Sequence, residues 1–137
     1  MKDLLIGTLT RLGGPGICYV RTDGEHLTQL WTDGTLTDPN WQDVSPDGRI
    51  FSVSCDGPEP MDGCIHELTI TPEGMKVLST RSTGGKEPCH LTFSEDGRFL
   101  LCANYGTGSL AVFPISPKFA AKDVGFFSGS SCPKGTK

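Results

Sequence analysis

One histidine of this sequence is a candidate for acid–base chemistry because of its position at the start of a predicted strand. His90 follows the segment 84–88 (GGKEP) and opens a predicted strand over residues 90–94. An imidazole titrates near neutral pH, so it can act as a general base or as a hydrogen-bond donor. We predict His90 as the candidate catalytic residue. The alternative is a structural histidine that caps its strand through hydrogen bonds to the backbone.

Three further polar residues are candidate substrate-binding residues. Lys86 and Arg81 flank the same loop, and their cationic side chains could hold an anionic group. A solvated surface role is the alternative for both cations. Asn104, in a later strand, could bind substrate or fix a turn. The next residue, Tyr105, is expected to pack against the neighbouring repeat.

The elements that hold these residues follow an internal repeat. Residues 44–51 (VSPDGRIF) recur as residues 93–100 (FSEDGRFL), at an offset of 49. A second strand pattern recurs at offsets of 47 and 45 residues, beginning at Gly16, Gly63 and Gly108. A period of about 45–50 residues with short strands and glycine turns is the length of a β-propeller blade. In this repeat Trp41 is equivalent to His90, so the repeat itself does not require a histidine.

The predicted fold class is all-β, with β-propeller blades of four antiparallel strands and about two and a half blades in the chain. The chain is a single partial domain. It consists of an incomplete first blade (1–34), a complete blade (35–83), a further blade (84–128) and a short tail (129–137). The predicted strands are 3–10, 16–22, 26–31, 41–45, 49–54, 63–70, 75–82, 90–94, 98–104, 108–115 and 123–128. No helix is predicted, and the nearest candidate, 117–123, is one turn at most. Asp-Gly pairs at 47–48 and 96–97 favour tight hairpin turns.

Composition argues against several classes of protein. A formal net charge of -4 without a basic run is unfavourable for nucleic-acid binding, and no apolar stretch approaches the roughly 20 residues of a membrane-spanning helix. No signal-peptide pattern opens the sequence, so we expect a cytoplasmic protein. The six cysteines form no CxxC pair and are expected to be reduced thiols. No residues have metal-ligand spacing, so neither a metal nor another cofactor is expected.

Two segments of the chain resemble a known family. Residues 83–93 (TGGKEPCHLTF) and 95–113 (EDGRFLLCANYGTGSLAVF) are similar to the seven-bladed β-propeller lactonases, the 6-phosphogluconolactonases of the bacterial propeller type. Residues 7–10 (GTLT) also resemble that family's N-terminal strand. The resemblance implies hydrolysis of 6-phospho-D-glucono-1,5-lactone to 6-phosphogluconate in the pentose phosphate pathway, with a small sugar lactone as the partner.

Two alternatives to this function stay open. One is a related chemistry on the same fold, either hydrolysis of another lactone or the cycloisomerisation that forms a muconolactone. The other is a non-catalytic propeller fragment that acts as an interaction module. Profiling lactone substrates separates the enzymatic possibilities from each other.

The resemblance also implies that the chain is an N-terminal fragment of a ring. Seven blades need roughly 340 residues, whereas this chain has 137 and stops before the paired histidines of the family. We therefore expect the isolated chain to be inactive. An unclosed stack of blades has exposed strand edges, which predicts association with a complementary fragment or self-association.

Overall fold

The chain folds into three antiparallel sheets, as described by a computed structural model for residues 1–115 and for the backbone of a strand at 125–128. The first sheet contains β1 (Lys2–Gly7), β2 (Ile17–Thr22) and β3 (Leu27–Asp33). The second contains β4 (Gln42–Val44), β5 (Ile50–Ser54), β6 (Asp62–Thr71) and β7 (Gly74–Lys86). The third contains β8 (Pro88–Phe93), β9 (Phe99–Asn104), β10 (Ser109–Pro114) and β11 (Gly125–Ser128). Each strand pairs with the one that follows it within its sheet, which is the meander expected of propeller blades.

The strands differ from the predicted ones mainly at their ends. β1 stops at Gly7 rather than at residue 10, and Thr10–Leu12 form a single 3-10 turn that ends at Gly13. Gly13 has a φ of 93°, a left-handed conformation that glycine adopts without steric cost. β7 continues to Lys86, past the blade boundary placed after residue 83.

The described residues include only part of the C-terminal segment for which structure was predicted. The fourth strand of the third blade is present as Gly125–Ser128. The candidate helical turn at 117–123, the first two residues of the predicted strand and the tail at 129–137 lie outside the described residues. Within the described part of the chain, no helix has the length and apolar character needed to cross a membrane.

The repeated Asp-Gly turns connect the first two strands of the second and third blades, as predicted. In the β4–β5 turn, Gly48 has a φ of 87°, and the Arg49 N–H donates to the Ser45 hydroxyl at 2.9 Å. In the β8–β9 turn, Gly97 has a φ of 70°, and the Phe99 N–H donates to the Ser94 hydroxyl at 3.0 Å. The repeated serine therefore accepts a backbone hydrogen bond that closes each turn.

The main hydrophobic core lies between the second and third sheets rather than within either one. Eight fully buried side chains form it: Phe51, Val53, Ile65, Leu91, Leu100, Cys102, Ala111 and Phe113. The first three belong to the second sheet and the others to the third. A smaller cluster of Ile17, Leu36 and Leu68 joins the first sheet to the second. The stability of each sheet therefore depends on its neighbour.

A buried histidine connects three strands of the second blade. His66, which is 4% exposed, lies with Nε2 2.7 Å from the Ser54 hydroxyl and with Nδ1 2.8 Å from the Thr80 hydroxyl. Burial lowers the pKa of His66 below its usual value, and the carboxylate of Asp56, 3.9 Å away, opposes that shift. His66 is therefore a neutral structural group at physiological pH.

We predict that His66 makes the fold sensitive to acid. The unfolded chain binds a proton near the usual pKa of about 6.5, whereas the folded chain binds it only at lower pH. The free energy of unfolding should therefore fall as the pH drops below about 6.5, and the loss should be complete below the folded pKa. Urea unfolding between about pH 5 and 8 measures this dependence.

The variant His66→Gln should remove this contribution and give a flatter pH dependence. It should also lower the free energy of unfolding by about 1–3 kcal/mol at pH 8, because the buried Ser54 hydroxyl loses a partner. The matched control is His26→Gln, since the His26 side chain is 79% exposed. An equal pH dependence in wild type and His66→Gln would contradict this account.

Candidate functional site

One end of the stacked sheets consists of loops that contact each other across blades, and we call it the loop face. Its segments are 8–16, 34–41, 55–61 and 105–108, together with Glu87 between β7 and β8. Hydrogen bonds join these segments: the Cys55 N–H donates to the Thr37 carbonyl at 2.8 Å, and the Tyr105 N–H donates to the Glu87 carbonyl at 3.0 Å. The backbones of these loop segments are therefore held together across blades.

Three residues of the loop face have strained backbones. Among residues 1–115, the non-glycine residues with positive φ are Asp38, Met61 and Glu87, at 48°, 67° and 52°. Such a conformation costs on the order of 1–3 kcal/mol per residue and persists only where the surrounding structure imposes it. Asp38 and Glu87 are 49 residues apart, and a proline follows each of them, so they are equivalent positions of the repeat.

Arg11 contacts all three strained residues. Its Nη1 lies 3.0 Å from a carboxylate oxygen of Glu87 and 3.7 Å from the sulfur of Met61, and its Nε lies 3.6 Å from a carboxylate oxygen of Asp38. Its backbone N–H also donates to Asp38 at 2.9 Å. One guanidinium thus joins the connections of three blades, which the sequence reasoning missed because the partners are 27 to 76 residues away.

His90 is exposed and lies in β8 opposite Ala103. Its ring packs against Trp41, with ring centroids 4.3 Å apart and an interplanar angle of 45°. Trp41 immediately precedes β4, and its indole N–H donates to the carbonyl of Leu91 at 3.1 Å. Because β4 and β8 are the first strands of their sheets, this pair lies at the edge that faces the central channel in a propeller. The structure thus places the predicted catalytic candidate against its repeat equivalent.

Lys86 lies at the end of β7, and a carboxylate already neutralises it. Its amine donates to Asp62 at 2.7 Å and to the Pro60 carbonyl at 3.0 Å, and this contact lowers the pKa of Asp62. A shallow cavity of about 290 Å³ lies beside the amine. It is lined by Asp62, Ser82, Gly84, Gly85, Lys86 and Thr107. Binding of an anion here would require Lys86 to leave Asp62.

Asn104 is 2% exposed and connects two blades. Its side-chain amide donates to the carbonyl of Thr83 at 3.1 Å and to the hydroxyl of Ser109 at 3.2 Å. The end of β9 is thereby bonded to β7 of the preceding blade. Its role as a substrate ligand stays a prediction, and both donors of its amide are engaged within the protein.

Arg81 lies away from the other candidates. It pairs in register with Ile65 of β6, whereas Lys86 pairs with Asp62. Three positions along β6 correspond to roughly 10 Å, and the shared binding role of Arg81 and Lys86 stays a prediction. Tyr105 lies on the loop face, but it is 78% exposed. Tyr105 begins the β9–β10 turn and does not pack closely against the second blade, and packing against a following blade stays a prediction.

Two of the described cysteines, Cys55 and Cys102, do not offer a nucleophile. Burial raises the pKa of Cys55 to about 11 and that of Cys102 to about 12, so both are protonated at neutral pH. Over the described ranges, no group of three or more His, Cys, Asp or Glu side chains could hold a metal ion. The exposed imidazole of His90 lies at the first strands and is suited to general-base chemistry.

Comparison with known families agrees with this architecture. The family described as "Lactonase, 7-bladed beta-propeller" matches residues 3–131. The chain belongs to this family. The match includes all three blades, the loop face and the Trp41–His90 pair.

Individual relatives are similar over most of this chain. It is 26% identical to a 6-phosphogluconolactonase of Bacillus subtilis strain 168 over 117 residues, which are 80% of this chain and 32% of the relative. A crystal structure of a proposed 6-phosphogluconolactonase from Bacteroides uniformis has a TM-score of 0.75 at 29% identity, covering 94% of this chain and 38% of that one. The periplasmic gluconolactonase of Pseudomonas aeruginosa has a TM-score of 0.72 at 28% identity, covering 83% and 34%. The chain spans about a third of the length of the curated relatives it matches.

The variant Asn104→Asp tests whether Asn104 is structural or binds substrate. A carboxylate cannot donate to the Thr83 carbonyl, so we expect the free energy of unfolding to fall by about 1–3 kcal/mol. Ser109→Ala is the matched control, because it removes only the second partner and should have a smaller effect. An Asn104→Asp protein of unchanged stability that no longer binds a sugar lactone would instead identify Asn104 as a ligand residue.

Proposed function

We propose that the protein to which these blades belong is a lactone hydrolase that opens 6-phospho-D-glucono-1,5-lactone to 6-phosphogluconate. The observation that carries this proposal is the exposed His90 at the first strand of a lactonase-family blade. The names of the relatives support the same chemistry, since two curated relatives are 6-phosphogluconolactonases. The pathway assignment, the pentose phosphate pathway, is part of this proposal.

The proposed reaction gives His90 a defined role. Hydrolysis of a lactone needs a base that activates water and donors that stabilise the tetrahedral oxyanion. In the proposal, His90 accepts a proton from water as the water oxygen bonds to the lactone carbonyl carbon and the tetrahedral intermediate forms. When this intermediate collapses, the ring C–O bond breaks and the protonated His90 returns the proton to the ring oxygen, which leaves as a hydroxyl. The new carboxylic acid releases its proton to solvent. The oxyanion donors would come from the loop face or from blades beyond this chain.

An unphosphorylated sugar lactone is the second candidate substrate. Arg11 on the loop face and Lys86 at the adjoining end of β7 are both paired with carboxylates, so neither is available for a phosphate without exchanging its partner. The Pseudomonas aeruginosa neighbour is a gluconolactonase. We propose the phosphorylated lactone first because both curated relatives are named 6-phosphogluconolactonase.

We propose the cytoplasm as the compartment of this protein. The five cysteines in the described residues are all thiols, and a reducing compartment maintains this state. The periplasmic location belongs to the Pseudomonas aeruginosa relative. Alkylation of the thiols in intact cells, followed by mass spectrometry, would reveal a disulfide if the compartment were oxidising.

We also propose that β1 is the place where this chain associates with a further strand. The first sheet has three strands, whereas the other two have four, and β1 is one of its two edge strands. Leu4 and Ile6 on this strand are 41% and 44% exposed. A cavity of about 400 Å³ between β1 and β4 adjoins the same edge. An unpaired, apolar edge strand is a template for pairing with another segment.

The activity prediction concerns the whole gene product that carries residues 1–137. It should remove 6-phospho-D-glucono-1,5-lactone faster than the spontaneous rate, and His90→Asn should lower the rate constant by about 10²-fold or more, as loss of a general base does. The exposed His26 provides the control His26→Asn, which should retain activity. The 137-residue chain alone should not exceed the spontaneous rate.

Two results would contradict this proposal. A whole gene product that leaves every tested sugar lactone at its spontaneous rate would exclude lactonase activity. Full activity in His90→Asn would exclude His90 as the base while leaving the activity itself in place.

The association prediction concerns the 137-residue chain alone. Sedimentation should show self-association, and a Leu4→Lys, Ile6→Lys double variant should shift the chain towards monomer, since charges on an edge strand oppose pairing. Leu27→Lys on β3 is the matched control, because Leu27 is 68% exposed on the opposite edge of the same sheet. A wild-type chain that stays monomeric at high concentration would contradict the proposed edge.

A further inference from the structure

Trp41 is held in place without being buried. Its indole N–H donates to the Leu91 carbonyl of the next blade at 3.1 Å, and its carbonyl accepts the Val53 N–H at 3.1 Å. The residue nevertheless is 39% exposed. The indole is therefore fixed in orientation while a large part of its surface remains in contact with solvent.

The neighbouring ring adds a polar group at the same place. His90 packs against Trp41 with centroids 4.3 Å apart and the rings tilted by 45°. His90 is exposed as well, so an indole and an imidazole lie in contact at a solvent-exposed position. They belong to the first strand regions of adjacent blades.

The second tryptophan of the chain, Trp31, packs within the protein and serves as a comparison for Trp41. Trp31 also donates to a backbone carbonyl, that of Thr71, at 2.9 Å. Its ring is stacked on Tyr19, with centroids 5.3 Å apart and an interplanar angle of 9°, and it packs against the smaller core cluster. Among the described residues, Trp41 makes no such stack with a core residue, and its ring partner is the candidate catalytic imidazole.

We propose that Trp41 is the platform on which the ring of a sugar lactone stacks, with His90 at the edge of the bound ring. The proposal rests on the proposed function and specifies how the same site holds its substrate. The C–H bonds on one face of a six-membered sugar ring carry partial positive charge, and the face of an indole is negative. A rigid aromatic side chain provides this contact at little entropic cost.

This arrangement also distinguishes substrate from product. The lactone is a ring with a continuous C–H face, whereas the hydrolysed product is an open-chain acid that has no such face. Trp41 should therefore favour the lactone over the carboxylate product and assist product release. Trp41 is in this sense a positioning and specificity residue, because it holds the lactone carbonyl near His90 and transfers no proton.

The experiment uses the whole gene product labelled with 5-fluorotryptophan and observed by fluorine NMR. The probe is D-glucono-1,5-lactam, a ring analogue that resists hydrolysis, and D-gluconate is the open-chain comparison. Trp41→Phe identifies the Trp41 resonance, and the Trp31 resonance is the internal control. We expect the lactam to shift the Trp41 signal saturably and gluconate to require at least about tenfold higher concentration, as an aromatic stacking contact implies.

Kinetics provide the second measurement. Trp41→Leu should raise KM for the lactone about tenfold, and Trp41→Phe, which retains an aromatic face, should raise it less. Thermal unfolding of both variants separates this effect from loss of the Leu91 hydrogen bond. Trp31→Phe is the matched control and should leave KM unchanged.

The outcomes separate this inference from the proposed function. Three results would each overturn the proposed role of Trp41. These are lactam binding that leaves the Trp41 signal unmoved, an absence of lactam binding, and an unchanged KM in a folded Trp41→Leu protein. An absence of lactone hydrolysis together with a lactam-induced shift of Trp41 would instead overturn the proposed activity and retain Trp41 as a sugar-ring binding residue.

Discussion

Burial of apolar side chains between neighbouring blades is the interaction on which the rest of this structure depends. Phe51 of the second blade and Phe113 of the third are both fully buried in the same cluster, and truncation of either to alanine would cost about 3–5 kcal/mol. No single sheet has a core of its own among the described residues. The first strands, and with them Trp41 and His90, are adjacent because this packing brings β4 and β8 side by side.

The loop face adds polar contacts to this packing. Arg11 pairs with Asp38 and Glu87, two equivalent acid–proline positions whose positive φ angles are unfavourable in isolation. Asn104 bonds the third blade to the second through a buried amide. These contacts fix the connections from which the first strands start, so the orientation of His90 depends on residues that never need to touch a substrate.

Local sequence signals predicted the parts of the fold that local physics determines. The Asp-Gly turns after Ser45 and Ser94 are present because glycine adopts the positive φ that each turn needs. The 49-residue offset already aligned Trp41 with His90, but only the structure shows their ring contact, because blade stacking brings together residues that are remote in sequence. Arg81 and Lys86 are close in sequence, and the structure places both on β7, where they pair with different residues of β6. The partners of Arg11 have no local signature, so no pattern in the sequence could indicate them.

The central claim is that a sugar lactone binds at the first strands, beside His90 and Trp41. Amide hydrogen exchange of the whole gene product, with and without saturating D-glucono-1,5-lactam, tests it most directly. The account predicts increased protection at the start of β8 and around Trp41, and unchanged exchange in the β2–β3 hairpin at residues 23–26. Protection confined to the outer strands β3 and β7, or no change at the first strands in a lactam-bound protein, would contradict it.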